Sequence, residues 1–394
     1  MRLKKVLLRA PLLTVSGYGV HSRQIFESLY SLHQKTIDLT VEIVNWGVTS
    51  WYVNPDLEEG LVGKIMSCSR KIEGVFDLTV QVQLPDEWNI ELGKKNIGVS
   101  AVVETDKCNP EWVKKCNQMD LVIVPSSFTK KVLEDSGNLK TKVKVVHEWF
   151  NNKIIEKEFS QLKKKSFDSF KFQTPVNFLL VGQLTGTDPW NDRKNIFFTL
   201  KWFCEIFKNR PDVGIVIKTN SAKSTSIDKA ITRNTLLKAL SEVRSGPFPK
   251  VHFIHGMLNS EEIASLYHHP KIVGYVSATR GEGYGLPLVD AAASGLPVLA
   301  TGWSGHLDFL KENFINFDYN LIAIPENKND NRIFMKNTKW ADVKEIDFKN
   351  KIESFLDNMS HHKENAMRHK SFVIENFSKN KIMKDYENIF KGML

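Results

Sequence analysis

The sequence predicts an α/β protein made of two Rossmann-like domains. Three observations carry that expectation. The chain has 394 residues, enough for two domains of ordinary size. Short β-branched runs alternate with helical stretches, the pattern of a parallel sheet covered by helices. And strands in both halves run into glycine-bearing loops that precede a helix: Val6–Leu13 into Gly17 and Gly19, Val176–Val181 into Gly182, Ile272–Ser277 into Gly281, Gly283 and Gly285.

In chain order, Val6–Leu13 is the first strand, followed by a glycine turn through His21 and an amphipathic helix from about Ser22 to His33. Val41–Val44, Leu78–Val82, Ile97–Val103, Met119–Pro125 and Val143–Val146 are further strands. Trp46, Trp51 and Tyr52 cluster in a polar loop, where they either cap a core or stack on a ring. Residues 153–173 interleave lysines with Phe159, Phe167, Phe170 and Phe172; they read as a solvated linker or as a basic-aromatic face. Val176–Val181 opens the second domain, with Val213–Thr219 and Val251–His255 as further strands. Lys223–Arg233 reads as a polar, basic insertion. Asn259 with Glu262 three positions on is a capping box opening a helix. Pro287 suits a first helical turn, Gly295 a helix stop, and Pro297–Thr301 the next strand. Asn327–Asn337 is a polar loop, and Trp340–Asn358 and His361–Asn376 read as helices.

Composition narrows the class. With 42% hydrophobic and 25% charged residues the chain is an ordinary globular one, and no window approaches the roughly 18 consecutive apolar residues of a membrane span. The basic start, Arg2 to Lys5, resembles a signal peptide, but Arg9 interrupts a short apolar run, so a first strand is the expectation. Cys68, Cys108, Cys116 and Cys204 lack the C-x-x-C spacing of a zinc or redox site, consistent with reduced thiols and a cytoplasmic location. Adjacent histidines at 268–269 and 361–362 diverge on a helix, so neither pair makes a metal site. The net charge of +9 favours an anionic partner, whether nucleic acid, lipid headgroup or nucleoside diphosphate.

The stretch 272–310 carries the most chemistry. Its glycine-rich loop sits between a strand and a helix N-terminus, where unpaired amides and the helix dipole favour phosphate. Glu282 in the loop and Asp290, eight positions later in the helix, frame it. Carboxylates beside a phosphate site repel the phosphate and suit sugar hydroxyls. The spacing G-x-G-x-G is not that of a dinucleotide fingerprint.

Glu282-Gly-Tyr-Gly-Leu-Pro-Leu-Val-Asp290 resembles the E-x7-E signature of retaining glycosyltransferases of the GT-B fold, family 4 (glycosyl transferases group 1). Asp290 stands where that family carries a second Glu. The resemblance implies two Rossmann-like domains facing across a cleft, here about 1–165 with a crossing helix at 378–394, and 174–377. It implies a nucleotide-sugar donor held by Gly283, Tyr284, Gly285 and Leu286 at the diphosphate, with Glu282 on the sugar and Asp290 on the ribose. By the same resemblance Gly256 and Met257 border the nucleobase, and the Gly17–Gly19 loop closes on the donor. Lys194 matches the family lysine that meets the leaving diphosphate. Gln183 replaces the family arginine, and Arg193 is a substitute cation. At the end of strand Ile97–Val103 the family's His-Asp pair is absent; Glu104 and Asp106 stand there, as acceptor-side acids or as helix caps. No D-x-D metal motif occurs, so no metal and no other cofactor is expected. The acceptor is a glycan, a lipid-linked sugar or a modified DNA base, with peripheral contact to an anionic surface. A nucleotide-sugar epimerase and a non-catalytic nucleotide-binding module are the alternatives.

Overall fold

A computed structural model describes residues 2–155, 170–186 and 188–394. Lys157, Phe159, Lys163, Lys164, Lys165 and Phe167 of the basic-aromatic stretch, and the expected boundary at 165, lie outside the described residues. The chain divides into two compact units, one of Met1–Trp149, Asn329–Thr338 and Phe377–Leu394, the other of Phe150–Lys328 and Lys339–Asn376.

The first unit is built on β1 (Lys4–Ala10), β2 (Ile37–Ile43), β3 (Leu78–Val82), β4 (Asn96–Val99), β5 (Leu121–Val124) and β6 (Val143–Val145), all parallel in the order β2-β1-β3-β4-β5-β6. Helices α1 (Gly17–Tyr30), α2 (Leu61–Cys68), α3 (Pro110–Cys116) and α4 (Ser127–Asp135) connect them. Strands covered on both faces carry unbroken apolar runs, and all of β3, β4 and β5 is buried. β1, β4, β5 and β6 are each shorter than the sequence predicts. β1 ends where Pro11 follows, and β4 stops at Val99, three residues before Val102 takes a φ of +56°. The C-terminal helix Lys379–Met393 buries Ile382, Tyr386, Ile389 and Phe390, one stripe at helical spacing. It packs on α1, where Tyr386 Oη lies 2.7 Å from His21 Nε2 and Lys379 pairs with Glu27. The segment 329–338 adds Ile333 and Phe334 to the β4–β5 side of the core and ties Arg332 to Asp86 and Glu87 at 2.7 and 2.6 Å.

The second unit has six parallel strands, β7 (Val176–Val181), β8 (Val213–Lys218), β9 (Lys250–Ile254), β10 (Ile272–Ser277), β11 (Val298–Thr301) and β12 (Ile315–Phe317), ordered β12-β11-β10-β7-β8-β9. The chain therefore starts in the middle, builds outward through β8 and β9, then returns beside β7 with β10 and builds the other way. A hairpin of β13 (Tyr319–Ala323) and β14 (Lys339–Val343) is added. Helices are α5 (Ile196–Ile206), α6 (Ser226–Val243), α7 (Ser260–Tyr267), α8 (Leu286–Ser294), α9 (Leu307–Leu310), α10 (Glu345–Asp357) and α11 (Met359–Phe377). The core lies on β7, β8 and β10 beneath α5 and α10, rich in Phe178, Phe203, Phe348 and Phe355.

Two expectations for this unit are corrected. Lys223–Arg233 is not an insertion: from Ser226 it is the start of α6. Thr225 caps the Asp228 N–H, and the buried Asp228 carboxylate accepts from Ser221 N, Ala222 N and His255 Nε2. Below it α6 buries Thr232, Leu236 and Leu240, a stripe so narrow that the basic exposed face dominates the sequence. Trp340–Val343 is strand rather than helix, since β14 pairs antiparallel with β13 and the helix begins only at Glu345.

Candidate functional site

In a doubly wound sheet, ligands bind beyond the carboxyl ends of the strands where the winding reverses. In the second unit that point lies between β7 and β10, and the two loops leaving these strands carry the residues singled out from the sequence. The loop after β7 delivers Arg193 and Lys194; the loop after β10 delivers Glu282.

Asp192 shapes the first loop. Buried, it accepts from Ile196 N at 2.6 Å, Lys194 N at 3.2 Å and Thr185 Oγ1 at 3.0 Å, so it occupies the N-terminus of α5. Asn195 at φ +55° turns the chain into the helix and bonds Ala278 O at 3.0 Å. The second loop is tied down by Glu282 N to Ser304 Oγ at 2.9 Å and by Gly305 N to Glu282 O at 2.9 Å. Lys194 Nζ then reaches both carboxylate oxygens of Glu282 at 2.7 Å, and Arg193 Nη1 lies 3.6 Å from Glu282 Oε2 while donating to Gly281 O at 2.6 Å. Burial alone would raise the Glu282 carboxyl; Lys194 and then Arg193 outweigh it and bring it down to about 2. Gln183 Nε2 donates to Ser221 O at 2.9 Å, and Arg193 is a second cation beside Glu282.

Gly283, Tyr284, Gly285 and Leu286 form the turn into α8. Gly285 sits at φ +106°, in the left-handed region, and a side chain there would press on Leu288 and His306. No side chain caps α8, so its N-terminus keeps its dipole unmet by a side-chain acid. Asp290 lies one turn in, partly buried, and accepts from Asn151 N at 2.8 Å. Loss of solvent pushes its carboxyl up to about 7, the Asn151 bond pulling the other way. His306 is buried and its Nε2–H donates to Thr301 O at 2.7 Å; burial keeps it below the ordinary histidine range, hence neutral at pH 7. Gly256, at φ +101°, and the exposed Met257 follow the edge strand β9.

The remaining candidates lie in the first unit. Gly17 and Gly19 are not in a loop. Ser16 caps Gly19 N at 3.0 Å, so α1 begins five residues before its expected start and both glycines are in its first turn. A side chain at Gly19 would fall 2.0 Å from Thr14 O, which is why glycine stands there. Between them Tyr18 stacks on Trp46 with ring centroids 3.9 Å apart and meets Ser100 Oγ at 3.0 Å and Ala101 N at 2.9 Å. Glu104 and Asp106 lie in the loop after β4, and neither caps α3, whose cap is Asn109. Tyr18 is thereby in the electrostatic range of Glu104.

Asp192, Ser304, His306 and Asn151 were not singled out from the sequence. Asp192 alone had a local signal, an acid at helix-cap spacing before α5. Among the described residues no group of three or more His, Cys, Asp or Glu side chains is placed to hold a metal, no helix is long and apolar enough to cross a membrane, and the four cysteines are free and buried.

Two six-stranded parallel sheets with helices around them are the architecture of the GT-B fold. Residues 235–384, which contain the 282–290 motif, match the family described as Family 4 Glycosyltransferase in conflict systems, in keeping with the resemblance read in that motif. An uncharacterized protein, protein 356, of Sulfolobus islandicus rod-shaped virus 1 is 23% identical over 285 residues, 72% of each chain. Solved structures share the fold: sucrose-phosphate synthase of Thermosynechococcus elongatus (14% identity, 99% of each chain, TM-score 0.64), a glycosyltransferase of Rickettsia africae (13%, 100% of this chain and 99% of that one, 0.61) and Anabaena HepE in complex with UDP and glucose (13%, 99% and 100%, 0.60).

Proposed function

We propose that the chain transfers a sugar from a nucleoside diphosphate donor to an acceptor hydroxyl, with the donor in the second unit. One observation carries the reading: Lys194 grips both oxygens of Glu282 at 2.7 Å beside the uncapped start of α8. In transfer, the bond from the anomeric carbon to the diphosphate oxygen breaks with its electron pair going to that oxygen, a bond to the acceptor oxygen forms, and the acceptor's proton passes to the departing diphosphate or to solvent. Charge accumulates on the departing diphosphate, and catalysis requires fixed positive groups there. Lys194 and Arg193 supply them, with the amides of Gly283, Tyr284, Gly285 and Leu286. A diphosphate entering this site competes with Glu282 for Lys194, releasing the carboxylate to accept sugar hydroxyls.

Asp290 takes the ribose. Gly256 and Met257 follow β9, two strand spacings or roughly 10 Å from β7, a span that suits a base beyond its diphosphate. A uridine nucleotide is the donor to try first, because HepE is solved with UDP and glucose. Retention of anomeric configuration, and independence of metal, follow the family pattern. Glu104 and Asp106 are the acceptor-side acids. The acceptor is a carbohydrate hydroxyl; a modified DNA base is the second reading, favoured by the net charge of +9.

The test is a panel of sugar nucleotides, with and without EDTA, offered with glycan or hydroxymethylated DNA acceptors and read by mass spectrometry. The expected result is an acceptor-dependent product that survives EDTA and falls about 100-fold or more in Lys194→Ala and Glu282→Ala. Near wild-type rates in both variants overturn the site. Conversion of donor alone identifies an epimerase, and binding without turnover a non-catalytic module.

A further inference from the structure

Next to Glu282 in sequence stands a residue the proposed reaction does not use. Arg280 is fully buried, though it carries a permanent charge. Its Nη1 bonds Asp342 Oδ1 on β14 at 2.5 Å, while Nε and Nη2 are buried with no hydrogen-bond acceptor among the described residues. In place of acceptors it has rings: the guanidinium carbon is 5.3 Å from the ring centre of Trp340 and 5.8 Å from those of Trp190 and Phe198. These rings come from three places. Trp190 is on the loop that delivers Lys194, Phe198 is on α5, and Trp340 is on β14. Trp190 also packs edge-on against Phe198, with centroids 4.9 Å apart. The main chain of Arg280 repeats the pattern, its N–H donating to Arg193 O at 2.8 Å and its C=O accepting from Ala341 N at 3.0 Å.

For stability alone this is a poor arrangement. A buried cation with unmet donors costs more than an apolar side chain of similar volume. What the guanidinium offers that an apolar side chain does not is direction: a planar group held by one carboxylate and attracted by ring faces fixes the elements around it in one arrangement. Two residues on, Glu282 must meet Lys194, which lies four residues after Trp190.

We propose that Arg280 is the positioning residue of the donor site. Its caged guanidinium locks the loop after β10 against the loop after β7, so that Lys194 and Glu282 are held in contact before any donor arrives. The inference rests on the transfer reading above for its catalytic consequence, but not for the geometry it predicts.

The test compares wild type with Arg280→Met, Arg280→Lys and Trp190→Ala, in two arms. The first needs no donor: the rate at which an amine-acylating reagent modifies Lys194, read by peptide mass spectrometry against Lys349 as internal control. Held in its ion pair, Lys194 is protected; in Arg280→Met its modification should rise about threefold or more with Lys349 unchanged, because the pair opens locally. The second arm is sugar transfer, or release of UDP from UDP-glucose, by the folded variants. kcat should fall about 100-fold in Arg280→Met with KM within about threefold, and Arg280→Lys should recover part of kcat. Protection of Lys194 at the wild-type level in Arg280→Met, or a wild-type kcat, overturns the proposal. If Arg280→Met does not fold, Trp190→Ala decides, since that half-exposed ring can be removed without opening the core; an unchanged Lys194 rate there overturns it. If wild type turns over no sugar nucleotide, the transfer reading falls, and the acylation arm still decides the role of Arg280.

Discussion

Replacing Lys194 by alanine tests the electrostatics of the site without any substrate. Glu282 has 8% of its side chain exposed and Lys194 has 17%, so water does little to screen them from each other. The Glu282 carboxyl ordinarily loses its proton at 4.5 and here at about 2. At 1.36 kcal/mol per unit that is about 3 kcal/mol of stability at pH 7, the remainder after the cost of burial, and Lys194 supplies the larger share of what offsets that cost because Arg193 stands farther off. The sign follows from the depressed value. The contribution is whole above pH 4.5 and is lost as pH falls toward 2. Lys194→Ala should therefore destabilise the second unit by about 3 kcal/mol at pH 7, with the gap to wild type narrowing as pH falls through 4. Since a chain of two units need not melt in one step, calorimetry is the assay, following the transition that moves. For a unit of this size the loss corresponds to a drop of about 6–12 °C in Tm. The double variant Lys194→Met, Glu282→Gln should recover part of the loss, because the Glu282 charge is then no longer buried without Lys194, while Arg193 keeps its bond to Gly281 O. A drop below about 2 °C at pH 7, or a gap indifferent to pH, would refute the reasoning.

Two further outcomes follow from the same site. Asp290 has its carboxyl raised from 3.8 to about 7, so its ionisation costs stability increasingly as pH rises through that window; Asp290→Asn should stabilise the ligand-free protein by about 1–3 kcal/mol at pH 8 and hardly at pH 4, checked by thermal melts at both, while weakening UDP binding about tenfold. Gly285→Ala should cost about 1–3 kcal/mol, since an alanine at φ +106° is strained and its Cβ would lie 3.0 Å from Leu288 Cδ1; calorimetry checks it, and a wild-type Tm would contradict the left-handed turn.

Much of this protein was legible one residue at a time. Glycines that stop helices or turn left-handed, Pro287 in a first turn and Asn259 with Glu262 as a capping box are local signals, and the structure bears each of them out. All strands of both sheets except β12 were visible, because a strand buried on two faces is mostly apolar, leaving a run no loop would carry. Where the local signal was weak, the reading failed: α6 buries only one residue in each turn, and β14 is a strand because β13 lies beside it. The early start of α1 was missed for a similar reason, since Gly17 and Gly19 read as loop until Ser16 caps them.

What the sequence determined by itself was therefore the class, two α/β units with a glycine-rich turn at 281–286 leading into a helix, because backbone conformation and burial periodicity are written locally. What only the tertiary structure decided was who meets whom. Lys194 and Glu282 are 88 positions apart and touch because β10 returns to lie beside β7. Arg280 carries no local signal of its own, and it is buried because β14, α5 and the loop of Trp190 close over it. Contact between distant positions depends on the order in which strands pair, and no short stretch of chain contains that order.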